Sequence, residues 1–187
     1  MGGLCGQSSA GETRLRSPAE RPSWWTLNHA YQIPKRSVLA EITLAGRTAP
    51  LTLRLFLSEQ AATRAGGERP SDLLNGSDGF LPASDNENRV VFLHRQSVLC
   101  LSVDTNSEFG GQHASAEDLA PEYAISIQVE LLMDNGDCVT GNLRYLMPEG
   151  SRRLQDLLNQ PQEFLILRDG ERARLINKGH ILRVAQV

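Results

Sequence analysis

Cysteine is scarce in this 187-residue chain. Its three copies, Cys5, Cys100 and Cys138, fall at no metal-ligand spacing and leave one unpaired in any disulfide scheme. That argues against a disulfide-stapled secreted domain and points to a reducing compartment. Aromatic residues make up only 5% of the chain, few for a protein that reads RNA by stacking bases. The four histidines, His29, His94, His113 and His180, are too scattered for a metal site. No apolar run approaches the roughly 18 residues of a membrane span, and the first residues lack the apolar stretch of a secretory signal. The net charge of −3 marks an ordinary soluble protein, expected to be cytoplasmic.

What is present is repetition. Asp72-Leu73-Leu74-Asn75, followed after a short gap by Phe80-Leu81, returns as Asp156-Leu157-Leu158-Asn159 followed by Phe164-Leu165. Behind each copy lies a pair of apolar runs: Val91-Phe92-Leu93 and Val98-Leu99-Cys100-Leu101 in the first, Leu175-Ile176 and Ile181-Leu182 in the second. The pattern reads as an internal duplication. It divides the chain into an extended basic arm at 1–36, a first module at 37–103, a linker at 104–121 and a second module at 122–187. Modules of this size are marginally stable alone, so they should lean on each other or on a partner.

The arm carries Arg14, Arg16, Arg21, Lys35 and Arg36 against Glu12 and Glu20, a net of +3 that leaves −6 for the body. Its Gly, Ser, Pro and Arg content suits a flexible tail. Trp24 and Trp25, the only tryptophans, suit a partner surface or a bilayer headgroup layer, where a large ring is buried and its N–H stays bonded. A lid folded back on its own body is the alternative.

In the first module, Val38, Ala40, Ile42 and Leu44 alternate with Leu39, Glu41 and Thr43. After Ala45-Gly46-Arg47 the same period runs from Leu51 to Leu57, which predicts a β-hairpin with one buried face. Pro70 can enter a short first helical turn. Strands follow at Phe80-Leu81, Arg89 to Leu93 and Val98 to Val103. The second module repeats the plan: Ile125 to Met133, the Asn135-Gly136 turn, Val139 to Leu146, a brief helix capped by Ser151 and ended by Asn159, then strands to Val184. The expected fold is mainly β with short helices.

The order Met147-Pro148-Glu149-Gly150-Ser151-Arg152, Asp156-Leu157-Leu158-Asn159, Phe164-Leu165, Asn177-Lys178-Gly179-His180-Ile181 resembles a family of uncharacterised bacterial domains, close over 125–184. The first module looks like a diverged copy in which His94-Arg95-Gln96-Ser97 replaces the Asn-Lys-Gly-His run. That resemblance implies no activity. More distantly, each five-strand unit is similar to the Sm-like small β-barrels, whose members often assemble edge to edge and in many cases bind RNA. Those barrels place their helix before the first strand, whereas here it follows the second, so the likeness is one of shape.

Among candidate chemistries, Asn177, Lys178 and His180 are the most suggestive, polar residues at a turn between apolar strands. They suit a phosphate or base edge, but a turn satisfied by its own backbone is the favoured reading. Asp72 and Asp156 suit an acid and base pair, or two separate helix braces. Ser107, His113 and Asp118 have the residue types of a hydrolase triad without a nucleophile elbow, and Gly110-Gly111 leads into no phosphate-binding lysine or helix. No catalytic, cofactor or metal residue is assigned. The expected function is a non-catalytic accessory or scaffold subunit of a larger protein assembly. If that assembly is membrane bound, as a respiratory or photosynthetic complex would be, the protein would sit on its cytoplasmic face with peripheral contact to anionic lipid. An Sm-like RNA-binding regulator is the alternative, and a small-ligand sensor a third.

Overall fold

Leucine, valine and isoleucine at every second position make strands, and among the described residues ten of them form one open antiparallel sheet. The computed structural model describes residues 35–59, 67–110, 122–148, 150 and 152–187. Arg14, Arg16, Arg21, Trp24 and Trp25 lie outside them, as does Ser151.

The first half comprises β1 (Lys35–Leu44), β2 (Leu51–Ser58), α1 (Pro70–Leu74), β3 (Phe80–Ser84), β4 (Val90–His94) and, after a 3-10 turn at Arg95–Ser97, β5 (Val98–Asp104). A helix α2 (Thr105–Phe109) follows. The second half runs through the same order: β6 (Ile125–Met133), β7 (Cys138–Tyr145), α3 (Leu154–Leu158), β8 (Phe164–Asp169), β9 (Arg172–Asn177), a 3-10 turn at Lys178–His180 and β10 (Ile181–Gln186).

Local chemistry sets these boundaries. Gly136 takes a left-handed φ of 88°, which closes the β6–β7 hairpin. In α1 the Asp72 carboxylate accepts from Arg69 N at 3.1 Å, and in α3 Asp156 accepts from Arg153 N at 3.1 Å. Each aspartate thus braces its own helix start, and Asn75 and Asn159 sit at the two helix ends. The cap of α3 is Arg153, two residues after Ser151. β1 begins at Lys35, three residues before the alternation becomes visible at Val38, so Lys35 and Arg36 belong to a strand. The stretch read as linker opens with α2, whose Glu108 is buried.

Across the sheet the order is β10-β6-β7-β8-β9-β5-β1-β2-β3-β4. Each half is laid out as last strand, first, second, third, fourth. The halves join where β9, fourth in one, pairs antiparallel with β5, last in the other, with Cys100 opposite Ile176, Leu101 opposite Leu175 and Val103 opposite Ala173.

This seam interlocks two cores. One is built from β1 to β5 and also takes Phe164, Ala173 and Leu175 from the second half. The other is built from β6 to β9 and takes Leu99 from the first. A register shift between Thr43 and Leu44 leaves Leu99 without a partner in the β1–β5 ladder, and this bulge sends Leu99 into the second core while Val98 and Leu101 remain in the first.

Candidate functional site

The polar turn after β9 lies at this seam. Asn177 is buried, its Oδ1 accepting from Gly179 N at 2.9 Å and its Nδ2 donating to Val98 O at 3.1 Å. One amide thus holds its own turn and ties it to β5. Lys178 Nζ donates to Leu158 O at 2.9 Å and to Gln160 O, carbonyls at the end of α3 where a cation is favoured. Desolvation lowers its pKa. In the first half Arg95 does the same for α1, donating from Nη1 to Leu74 O at 3.4 Å and to Gly76 O. Its Nη2 also reaches Glu163 Oε1 across the seam at 3.2 Å.

His180 Nδ1 lies 2.6 Å from Asp134 Oδ2 and its Nε2 lies 2.7 Å from Gln96 O. Both partners are acceptors, so only the doubly protonated ring donates to both. Partial burial opposes the charge, yet the hydrogen bonds to Asp134 and Gln96 and the Asp134 charge outweigh it and raise the pKa above the ordinary imidazole value of 6.5. A raised pKa gives stability that is full below the unfolded-state value and is lost as pH rises through the folded-state value. Urea midpoints are therefore expected to fall as pH climbs above about 6.5. His180→Gln should flatten that slope, and an unchanged slope in the variant would remove His180 as its source.

A second polar cluster lies outside the residues singled out in the sequence. The Glu108 side chain is fully buried and accepts from Ser71 N at 3.0 Å and from Ser71 Oγ. Arg69 Nε stands 3.7 Å away. Burial raises the Glu108 pKa, opposed by the two Ser71 hydrogen bonds and the Arg69 charge. Asp104, accepting from Asn106 N at 2.8 Å, starts the helix that delivers Glu108. Phe109 on that helix lies under the Arg168 guanidinium, 3.8 Å from its ring centre, so α2 also grips the second half. A five-residue helix shows no period, which is why the sequence gives no sign of it.

A cleft of about 350 Å³ opens beside the seam, lined by Glu41, Cys100, Met133, Asp137, Cys138 and Arg174 among others. Cys100, half-buried, has its thiol pushed up to about 11 by burial, against the pull of Arg174 and Arg172, so it stays protonated at neutral pH and fills space as a small apolar group. Cys138, which the sequence places in an apolar run, is exposed. Among the described residues, no group of three or more His, Cys, Asp or Glu side chains is placed to hold a metal ion. None of their helices is long and apolar enough to cross a membrane.

No family model, curated protein or solved structure matches the chain.

The residues singled out by sequence are therefore spread out. Asn177, Lys178 and His180 come together at the seam, their polar atoms bonded within the chain. Asp72 and Asp156 each serve their own helix. Lys35 is exposed at the start of β1, and Arg36 Nη2 donates to Glu68 O at 2.9 Å. Two groups the sequence left unmarked matter more: the brace at Glu108, and a set of exposed apolar side chains at the sheet's β3–β4 end, Phe80, Val90 and Phe92. The signal for the latter was present in the repeat, because their counterparts in the second half are Phe164, Ala173 and Leu175.

Proposed function

We propose that this protein is a non-catalytic scaffold or accessory subunit, built from two barrel-like modules that arose by duplication and fused edge to edge. Its N-terminal arm and the ends of its sheet attach it to protein subunits of a larger assembly. The observation that carries this reading is the β3–β4 end, where exposed Phe80, Val90 and Phe92 flank a strand that has no neighbour on its far side among the described residues. Main-chain groups in need of partners beside apolar side chains form a docking edge for a further strand. The internal bonding of Asn177, Lys178 and His180 fits a rigid platform better than a phosphate grip, which favours this reading over RNA binding.

Trp24, Trp25 and the arm arginines supply a second attachment, to protein first and to anionic lipid on the cytoplasmic face of a membrane complex second. Co-purification from native cells tests this, using the full chain, a chain lacking residues 1–34, which leaves β1 whole, and a Phe92→Asp chain. The full chain is expected to bring down protein subunits at fixed stoichiometry, and one or both lesions to reduce their recovery severalfold. Equal recovery by all three chains would overturn the reading.

A further inference from the structure

We propose that the partner at these sheet ends is a second copy of this chain, joined head to tail, β4 of one copy to β10 of the next. The inference rests on the scaffold reading above and names the occupant of the docking edge. Its template is the seam inside the molecule, where a fourth strand, β9, pairs with a last strand, β5. Among the described residues the sheet's two outermost strands are also a fourth strand and a last strand, β4 and β10, so each chain offers one of each kind.

The side chains correspond as closely as the strands. At the seam, Phe164, Ala173 and Leu175 are buried in the neighbouring core, and their positional counterparts at the free end are Phe80, Val90 and Phe92, 60%, 62% and 68% exposed. On the other side, Leu99 sits in the β5 bulge and fills the neighbouring core. β10 has the same bulge, between Ile181 and Arg183, and the residue it leaves out, Leu182, is 67% exposed. Thus, among the described residues, four of the eight exposed large hydrophobics are counterparts of residues that the seam buries. Neither edge is blunted by proline or lysine, the usual protections.

Charge and polar groups follow the same correspondence. Arg172 Nη2 reaches Glu41 Oε2 across the seam at 2.5 Å, and the counterparts are Arg89, beside β4, and Glu130, on the strand next to β10, which within one chain pair instead with Asp85 at 2.7 Å and with Arg183 at 3.0 Å. Asn75 Oδ1 accepts from Phe164 N at 2.9 Å, and its counterpart Asn159 is exposed. Transferring the seam register sets Val184 opposite Phe92 and Ala185 opposite Val91 of the next copy. Such a contact uses two different surfaces, so it repeats until a ring closes or a filament grows.

Light scattering on the purified full chain, over a wide concentration range, tests this. Species at multiples of the 20.6 kDa chain are expected. Phe92→Asp and Leu182→Asp, both at exposed positions, should each weaken association by roughly tenfold or more, as loss of an apolar anchor does. Mixed together they should yield a dimer and nothing larger, because each variant keeps the edge that the other has lost. A monomer at every concentration overturns the inference, and association of Leu182→Asp by itself as tight as that of the parent chain overturns the head-to-tail geometry. If the chain is monomeric while Phe92→Asp still loses its native partners, the docking edge stands and its occupant is a different protein. If native extraction yields no protein partner of any kind, this chain included, the scaffold reading itself falls.

Discussion

Glu108→Ala is expected to destabilise the protein by about 2–4 kcal/mol, because it strips the acceptor from two Ser71 donors and removes a carboxylate from beside Arg69 in a place water does not reach. At this chain length that corresponds to a fall in melting temperature of roughly 5–15 °C, readable by thermal scanning. Glu108→Gln separates charge from hydrogen bonding. Its amide oxygen can still accept from Ser71, so the loss should be smaller, and its effect on pH dependence is distinctive. Since burial raises the Glu108 pKa above 4.5, its contribution is full below that value and is lost as pH rises through the folded-state value. The glutamine chain should lack that part of the slope. A Glu108→Ala chain as stable as the parent would show that α2 does not brace α1.

Separating the halves should have an effect at least as large. Residues 35–104 expressed alone lose Phe164, Ala173 and Leu175 from their core, and residues 122–187 alone lose Leu99 from theirs. Neither fragment is expected to give a folded monomer, which circular dichroism and sedimentation would read as an unfolded chain or a self-associated one. In the intact protein Leu99→Ala tests the same interlock with one residue. It deletes a side chain of the first half from the core of the second and should cost about 2–5 kcal/mol, with unfolding still a single transition. A second fragment that folds as a stable monomer would mean that the two cores are independent.

The strands were legible because their faces obey period two. Val38, Ala40 and Ile42 are buried and Leu39 and Glu41 are not, as the alternation of those residues predicts. Of the helix ends, Asn159 was legible as a stop and Asp72 and Asp156 as braces, whereas the start of α3 lies at Arg153 and not at Ser151. Two things were hidden for physical reasons. Strand pairing between distant segments leaves no periodic trace, so nothing in Val98-Leu99-Cys100-Leu101 says that β9 lies beside it. Burial of a carboxylate depends on what surrounds it, and Glu108 in a run of Ser, Asp and Gly carries no mark of its setting. Of the candidate site, the turn at Asn177 was visible from its residue types, but its partners Val98, Gln96 and Leu158 are distant in sequence and needed the fold.

The extra residue in β5 has one more implication. A regular ladder would assign each side chain to a face by counting, and here the count is broken once so that Leu99 can serve the opposite interior. Removal of Leu99 itself would restore the count and empty its place in the second interior, whereas a residue gained or lost elsewhere in the strand would turn every position beyond it to the wrong side. The region should therefore accept swaps among similar apolar residues far more readily than any change in length.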